Sequence, residues 1–133
     1  MRIMIDTNVL ISMIFFPGKQ MNELKKIICE QHSILLCSYV ADELLKVTER
    51  KFMSKAKDLD DFLKSLPFHM VYTPKFIDAN NFPKVRDEMD APILATAMLE
   101  DADILITGDK DFSNIEIDRP EILTPTEFLK QYA

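Results

Sequence analysis

The sequence contains few of the residues that hold transition metals in proteins. Its 133 residues include two cysteines and two histidines, and their spacing matches no zinc-binding pattern. Cys29 and Cys37 both follow short apolar runs, which favours buried free thiols over a disulfide or a metal site. We therefore expect any metal in this protein to be held by oxygen atoms.

Long hydrophobic runs are also missing. No run approaches the roughly 18 consecutive apolar residues that a membrane span requires. Asp6 interrupts the apolar N-terminus where a signal peptide would need its hydrophobic stretch. The chain is nevertheless 47% hydrophobic, which is enough for one compact core. The expectation is a single domain over residues 1–133 of a cytoplasmic protein with no membrane partner.

Positive charge is in deficit, since the formal net charge at pH 7 is -6. This argues against a general nucleic-acid coat protein, because such binding depends on Lys and Arg that neutralise phosphates. Residues 1–64 carry ten basic and nine acidic side chains, whereas residues 65–133 carry six and thirteen. The first half includes a basic run suited to a phosphate backbone, formed by Lys46, Arg50, Lys51, Lys55 and Lys57. Taken alone, a solvated helix face is the simpler explanation of this run.

Short apolar segments alternate with longer amphipathic ones, which is typical of a parallel sheet flanked by helices. The predicted strands are Arg2–Ile5, Ile34–Cys37, His69–Tyr72, Asp103–Thr107 and Glu121–Leu123. The predicted helices are Val9–Phe16, Asn22–Gln31, Tyr39–Arg50, Lys55–Leu66, Pro92–Glu100 and Thr126–Gln131, with a long loop over residues 73–84. Right-handed crossovers then predict an open three-layer α/β/α sheet, which carries functional groups beyond the carboxyl ends of its strands at the switch point in strand order. We expect the strand order 3-2-1-4-5.

Two acids lie at the ends of predicted strands. Asp6 ends the first strand and Asp109 follows the fourth. If these strands are neighbours, both carboxylates lie at the same end of the sheet. A helix cap at Asp6 and a turn at Asp109 remain the alternative explanations. The joint placement favours a site.

Two further acids are expected near the same end of the sheet. Asp90 precedes Ala91-Pro92 and fits the N-cap of the next helix, a position that also presents a carboxylate at the start of that helix. Glu43 lies at the border of an apolar helical stripe, where an acid needs a partner. That partner is either the acidic site or Arg50, two turns along the same helix.

Other polar residues near these acids are weaker candidates. Asp111 and Asp87 are acids close to Asp109 and Asp90. Asn8 and Thr107 are candidates for neutral oxygen or hydrogen bonds to the acids and to a bound water. Ordinary loop and turn roles remain the alternative for all four.

Mutual repulsion limits what such a cluster can be. Two carboxylates about 6 Å apart repel by roughly 3 kcal/mol at an effective dielectric of ~20, so four carboxylates need neutralisation. Protonation achieves this, and so does Mg²⁺ or Mn²⁺, which prefer oxygen ligands and promote attack of water on phosphate. The pattern therefore favours phosphodiester hydrolysis.

The residues resemble the PIN domains, in particular the VapC-like group of toxin components from toxin-antitoxin pairs. The similarity lies in Ile5-Asp6-Thr7-Asn8-Val9-Leu10-Ile11-Ser12, Ala41-Asp42-Glu43-Leu44-Leu45, the stretch from Asp90 to Ala97, the stretch from Ala102 to Phe112, and the closing stretch from Ile122 to Leu129. These motifs occur in the family's order and spacing and extend over nearly the whole chain.

The resemblance implies a metal-dependent endoribonuclease. In that interpretation Asp6, Glu43, Asp90 and Asp109 are the family's four acids, and Asp6, Asp90 and Asp109 hold Mg²⁺ or Mn²⁺. RNA is the implied substrate, an antitoxin the implied protein partner, and a homodimer the implied assembly. The alternative is a catalytically silent PIN-like module that binds nucleic acid or protein.

Overall fold

Five parallel strands form a single sheet in a computed structural model that describes residues 1–78, 81, 82, 91–108, 112, 115 and 117–133. The strands are β1 (Arg2–Ile5), β2 (Ser33–Cys37), β3 (Phe68–Val71), β4 (Ile104–Ile106) and β5 (Glu121–Leu123). Their order is β3-β2-β1-β4-β5, so the predicted order is confirmed. β1 lies in the centre, where Ile3 pairs with Ile34 of β2 and Ile104 of β4.

Helices pack on this sheet and bury its apolar residues. They are α1 (Thr7–Phe15), α2 (Lys19–Gln31), α3 (Ser38–Lys51), α4 (Ala56–Ser65), α5 (Ala91–Leu99) and α6 (Pro125–Tyr132), with a 3-10 turn at Met53–Lys55. α1 packs against α3 and α4, and α2 packs against α6. Helices α1, α3 and α4 contribute Leu10, Leu44 and Phe62 to the common core. The predicted α/β/α architecture is therefore confirmed.

Strand boundaries differ slightly from the prediction. β3 begins at Phe68 and ends at Val71, one residue earlier than predicted, because Phe68 pairs with Ile34 while Tyr72 is 75% exposed. β2 begins one residue earlier, at Ser33, because Ser33 pairs with Arg2.

β4 is two residues shorter than predicted, since Asp103 and Thr107 flank it. Their backbone amides still bond to the carbonyls of Arg2 and Leu123 at 2.8 and 2.9 Å. The Asp103 side chain accepts a hydrogen bond from the Arg2 amide, and the Thr107 hydroxyl donates one to Asp6. The strand itself is thus limited to Ile104–Ile106.

Helix starts account for most of the other differences. α1 begins at Thr7 rather than Val9 because the Asp6 side chain caps it. α2 begins at Lys19 rather than Asn22 because Gly18 is the N-cap and polar residues continue the first turn. α6 begins at Pro125, where Thr124 and Glu127 form a capping box.

The remaining helices differ from the prediction by a residue at each end. α4 is preceded by the separate 3-10 turn, so Lys55 does not begin it. α3 and α5 extend to Ser38 and Ala91 at their starts. The predicted N-cap of α5 at Asp90, and residues 79, 80, 83 and 84 of the predicted loop, lie outside the described residues.

Both cysteines are free thiols. Cys37 is fully buried, as predicted, whereas Cys29 is only half-buried because it lies at the border of the apolar face of α2. The prediction of two buried thiols was therefore wrong for Cys29. Within the described ranges, no helix is long and apolar enough to cross a membrane.

Candidate active site

Asp6 occupies the junction between the central strand and the first helix. Its amide donates to the carbonyl of Ile106 at 2.9 Å, which continues the β1–β4 ladder, and its extended backbone then gives way to α1. The carboxylate is 4% exposed, and its Oδ1 accepts a hydrogen bond of 2.7 Å from the amide of Thr7. Burial of a carboxylate requires such donors.

A second donor to Asp6 comes from the neighbouring strand. The Thr107 hydroxyl, just beyond β4, donates to Oδ2 of Asp6 at 2.7 Å. Thr107 is 2% exposed. The carboxyl ends of β1 and β4 are therefore adjacent, and Thr107 supports Asp6 from the position at which the sequence suggested it.

Thr7 joins Asp6 to a carboxylate from a different helix. Its hydroxyl donates to Oε1 of Glu43 on α3 at 2.9 Å, while its amide holds Asp6. The bond spans 36 residues of sequence. Glu43 thus faces the start of α1. The alternative ion pair with Arg50 does not occur among the salt bridges of the described residues.

The environment of Glu43 raises the pKa of its carboxyl. Burial raises the pKa of the Glu43 carboxyl, and the nearby charge of Asp6 raises it further. The hydrogen bond from Thr7 and the positive charge of Lys46 oppose this increase in pKa. A buried site that raises a carboxyl pKa in this way would be stabilised by an additional cation.

Thr7 is a site residue that the sequence pattern did not single out. It appears in the sequence only as part of the Ile5-Asp6-Thr7-Asn8 motif. A hydroxyl in the first turn of a helix, directly after an acidic N-cap, was the available signal. Asn8 is exposed on that first turn, and its supporting role stays a prediction.

The other predicted acids, Asp87, Asp90, Asp109 and Asp111, lie outside the described residues. The structure describes the positions next to two of them, Ala91 at the start of α5 and Gly108 after Thr107. Within the described part of the chain, no group of three or more His, Cys, Asp or Glu side chains is arranged to hold a metal. Asp6 and Glu43 are the two members of the predicted set that the structure brings together.

The chemistry of the pair fits a hard divalent cation. Both side chains are carboxylates, and their described partners are hydroxyls and a backbone amide. A carboxylate has about four lone-pair sites, so an oxygen that accepts one hydrogen bond retains the capacity to ligate a cation. Mg²⁺ and Mn²⁺ prefer such oxygen donors.

The predicted basic residues continue from this site along α3. Lys46, Arg50 and Lys51 are exposed. Lys55 is half-buried because its Nζ lies 5.2 Å from the centre of the Phe16 ring. The basic run therefore reaches an aromatic cluster at the end of the helix.

The fold and the carboxylate pair define an α/β protein with an acidic site at the carboxyl end of a parallel sheet. A family model of the PIN domain matches residues 2–111, and the chain belongs to this family. The structure is also similar to a chain in the crystal structure of VapBC2 from Rickettsia felis bound to a DNA fragment from their promoter. The TM-score is 0.70 at 19% sequence identity, over 92% of this chain and 97% of that chain. No curated protein sequence matches this chain.

Proposed function

We propose that this protein is a single-domain endoribonuclease that requires Mg²⁺ or Mn²⁺ and acts as the toxin of a toxin-antitoxin pair. The main support for the proposal is the pair of hydrogen bonds through which Thr7 bridges Asp6 and Glu43. This bridge gathers two carboxylates from separate elements at the carboxyl end of the sheet. That is where open parallel sheets bind their ligands.

Each residue has a distinct part in this proposal. Asp6, Asp90 and Asp109 hold the cation. Glu43 completes the acidic set, and Thr107 fixes the Asp6 carboxylate by its 2.7 Å hydrogen bond. A bound divalent cation would supply charge neutralisation at the phosphate and a more acidic water.

Glu43 is the proton-transfer group in this proposal. Its carboxyl is half-buried, and burial raises its pKa. An upward shift in a carboxyl pKa is the direction that general acid-base catalysis requires. Thr7 holds the carboxylate in place through Oε1, and Asp111 is proposed as a supporting acid in the same set.

RNA is the proposed substrate because the basic run starts beside the acidic site. Lys46 lies one helical turn from Glu43, and Arg50 lies two turns away on the same side. These cations, together with Lys51 and Lys55, would contact phosphates and offset the net charge of -6.

The direct test is cleavage of a labelled RNA by wild type and Asp6→Asn, each with Mn²⁺ and with EDTA. Asparagine keeps the shape and the capping acceptor but removes the charge that fixes the cation, so cleavage should be abolished while the fold is retained. Asp103→Asn is the matched control. It makes the same change at the opposite end of the sheet and should leave cleavage intact.

Two results would contradict this function. Full activity of Asp6→Asn, or of wild type in EDTA, would refute metal-dependent cleavage at Asp6. Absence of cleavage in wild type with either cation would favour the catalytically silent binding module. Circular dichroism of both variants separates loss of activity from loss of structure.

The toxin assignment adds a protein partner. The similar Rickettsia felis structure is, by its description, a VapBC2 assembly on promoter DNA, and we propose an antitoxin and a homodimer for this chain as well. An adjacent small open reading frame whose product binds this protein and blocks its cleavage would support that assignment. Unimpaired cleavage in the presence of the bound product would oppose it.

A further inference from the structure

One hydroxyl connects three elements at the carboxyl end of the sheet. Thr73 lies two residues beyond the end of β3. Its Oγ1 lies 2.8 Å from Sγ of Cys37, the last residue of β2, and accepts a hydrogen bond of 3.3 Å from the Tyr39 amide in the first turn of α3. The Thr96 hydroxyl of α5 donates to the same oxygen at 3.1 Å. Thr73 therefore links the end of β2, the start of α3 and one side of α5.

The backbone of Thr73 adds a second contact with α3. Its amide donates to the Ser38 hydroxyl at 2.9 Å, while its own hydroxyl accepts from the Tyr39 amide. The first four amides of a helix have no partner within the helix, so Thr73 supplies one of the acceptors that the start of α3 needs. Glu43 follows Tyr39 by about one turn. The contacts of Thr73 thus fix the start of the helix that carries this carboxylate.

The bond from Thr96 reaches the beginning of α5. The Thr96 hydroxyl also donates to the Pro92 carbonyl at 2.7 Å, one turn earlier in the helix. Thr96 is fully buried, and a buried hydroxyl is costly to leave without partners. α5 begins at Ala91, and the residue before it, Asp90, lies outside the described residues. Thr73 and Thr96 therefore hold the helical turn that directly follows a proposed cation ligand.

These contacts lie at the same end of the sheet as the carboxylate pair. The β1–β2 register, continued by two residues, puts Asp6 level with Cys37, which contacts Thr73. α5 runs from this end towards the amino end of the sheet. There the next strand begins, and the Asp103 amide donates to the Arg2 carbonyl at 2.8 Å. The start of α5 is thus the part of that helix nearest to the candidate site.

We propose that Thr73 is a positioning residue, which holds the start of α5 against the start of α3 and so sets the position of Asp90 relative to Asp6 and Glu43. The proposal rests on the proposed function, because it needs a cation at that site. Thr73 is not itself a ligand. A hydroxyl offers one proton and two lone pairs, and Oγ1 of Thr73 already has three partners.

Mn²⁺ binding without RNA tests this role, because it separates metal affinity from cleavage. Electron paramagnetic resonance of the free ion gives the Mn²⁺ dissociation constant of each protein. Thr73→Val and Thr96→Val each remove one hydroxyl and keep the shape of the side chain. Thr48→Val is the matched control, since Thr48 is a buried threonine of α3 whose hydroxyl has no hydrogen-bond partner among the described residues. Thermal melts without metal record the stability of every variant.

Thr73→Val and Thr96→Val should each weaken Mn²⁺ binding by about tenfold, at the lower end of the effect of groups that orient metal ligands. The double variant should bind no more weakly than the weaker of the two single variants, because both hydroxyls act through one bond. Thr73→Ser should keep most of the wild-type affinity, since it retains the hydroxyl. Thr48→Val should bind Mn²⁺ as wild type does.

A lower melting temperature of Thr73→Val with wild-type Mn²⁺ affinity would overturn the proposal, since Thr73 would then only stabilise the fold. A double variant whose loss of affinity is the product of the two single losses would also overturn it, because the hydroxyls would then act separately. If Thr73→Val does not fold, wild-type Mn²⁺ affinity in Thr96→Val overturns the proposal, and about tenfold weaker binding supports it. In each case Mn²⁺-dependent cleavage by wild type leaves the proposed function standing. Absence of Mn²⁺ binding by wild type would overturn both.

Discussion

At the amino end of the sheet, Asp103 accepts hydrogen bonds from the Arg2 amide at 2.8 Å and from the Arg119 guanidinium at 2.6 Å. At the carboxyl end, Asp6 and Glu43 accept theirs from threonine hydroxyls and a backbone amide. At both ends of the sheet a carboxylate lies beside a buried strand, but its hydrogen-bond partners differ between the two ends. The described hydrogen-bond donors to Asp103 include a guanidinium, whereas those to Asp6 and Glu43 are neutral groups.

The electrostatic consequence is opposite at the two ends. The backbone amide of Arg2, with the charge of Arg119, holds the pKa of Asp103 below its usual range. Burial and the proximity of Asp6 hold the pKa of Glu43 above the usual range of a glutamate. A carboxylate matched with a cation contributes to stability, whereas one matched with neutral donors retains affinity for a cation from solution.

Among changes at the two ends of the sheet, removal of the Thr7 hydroxyl at the carboxyl end should have the largest effect. Thr7→Val keeps the shape but removes the donor to Glu43, so cleavage should fall about 10- to 100-fold, as for other groups that orient metal ligands. The Mn²⁺ concentration for half-maximal rate should rise as well. Steady-state kinetics over a range of Mn²⁺ concentrations measures both.

Thr7→Ser is the matched control for that variant, since serine retains the hydroxyl and should restore most of the activity and the metal dependence. If Thr7→Val shows an unchanged Mn²⁺ requirement with lower activity, Thr7 acts only in packing. The bridge would then have no part in holding the site.

A smaller effect, on stability alone, is expected at the amino end of the sheet. Asp103→Asn should reduce the free energy of unfolding by about 1 kcal/mol at pH 7, because it removes a charge held by Arg119 and the Arg2 amide. The pKa of Asp103 is lowered in the folded protein. This contribution is therefore present above the pKa of the unfolded chain, about 3.9, and is lost as the pH falls through the folded value.

Urea unfolding of wild type and Asp103→Asn at pH 7 and towards pH 3 checks this sign. The difference between the two proteins should shrink as the pH falls. A difference that stays constant or grows would show that the charge of Asp103 is not the origin of its contribution.

Much of the fold was predictable from the sequence. Five apolar segments and right-handed crossovers predict the three-layer sheet, and Asp6 could be placed from the end of its strand. The boundary errors arose where tertiary contacts decide the end of an element. Phe68 pairs with Ile34 although no local pattern includes it, and Gly18 caps α2 before its apolar stripe begins.

The site was less predictable than the fold. The position of Glu43 beside an apolar stripe showed that it needs a partner and favoured the acidic site, but sequence spacing left an ion pair with Arg50 as an alternative. The bond to Thr7 depends on how α3 packs on α1 and has no local signature. The surroundings of the exposed Phe16 ring depend in the same way on tertiary packing, since Phe52 and Lys55 reach it from the end of α3 and from the turn that follows.

The central claim is that the carboxylates at the carboxyl end of the sheet bind a divalent cation, and thermal melting with and without Mn²⁺ tests it most directly. At 100 times the dissociation constant, Mn²⁺ should stabilise wild type by about 2.7 kcal/mol, which is several degrees in Tm for a domain of this size. Asp6→Asn should show no such shift, while Asp103→Asn should show the full shift from a lower starting Tm. Equal Mn²⁺ shifts in wild type and Asp6→Asn, or no shift in wild type, would contradict the claim.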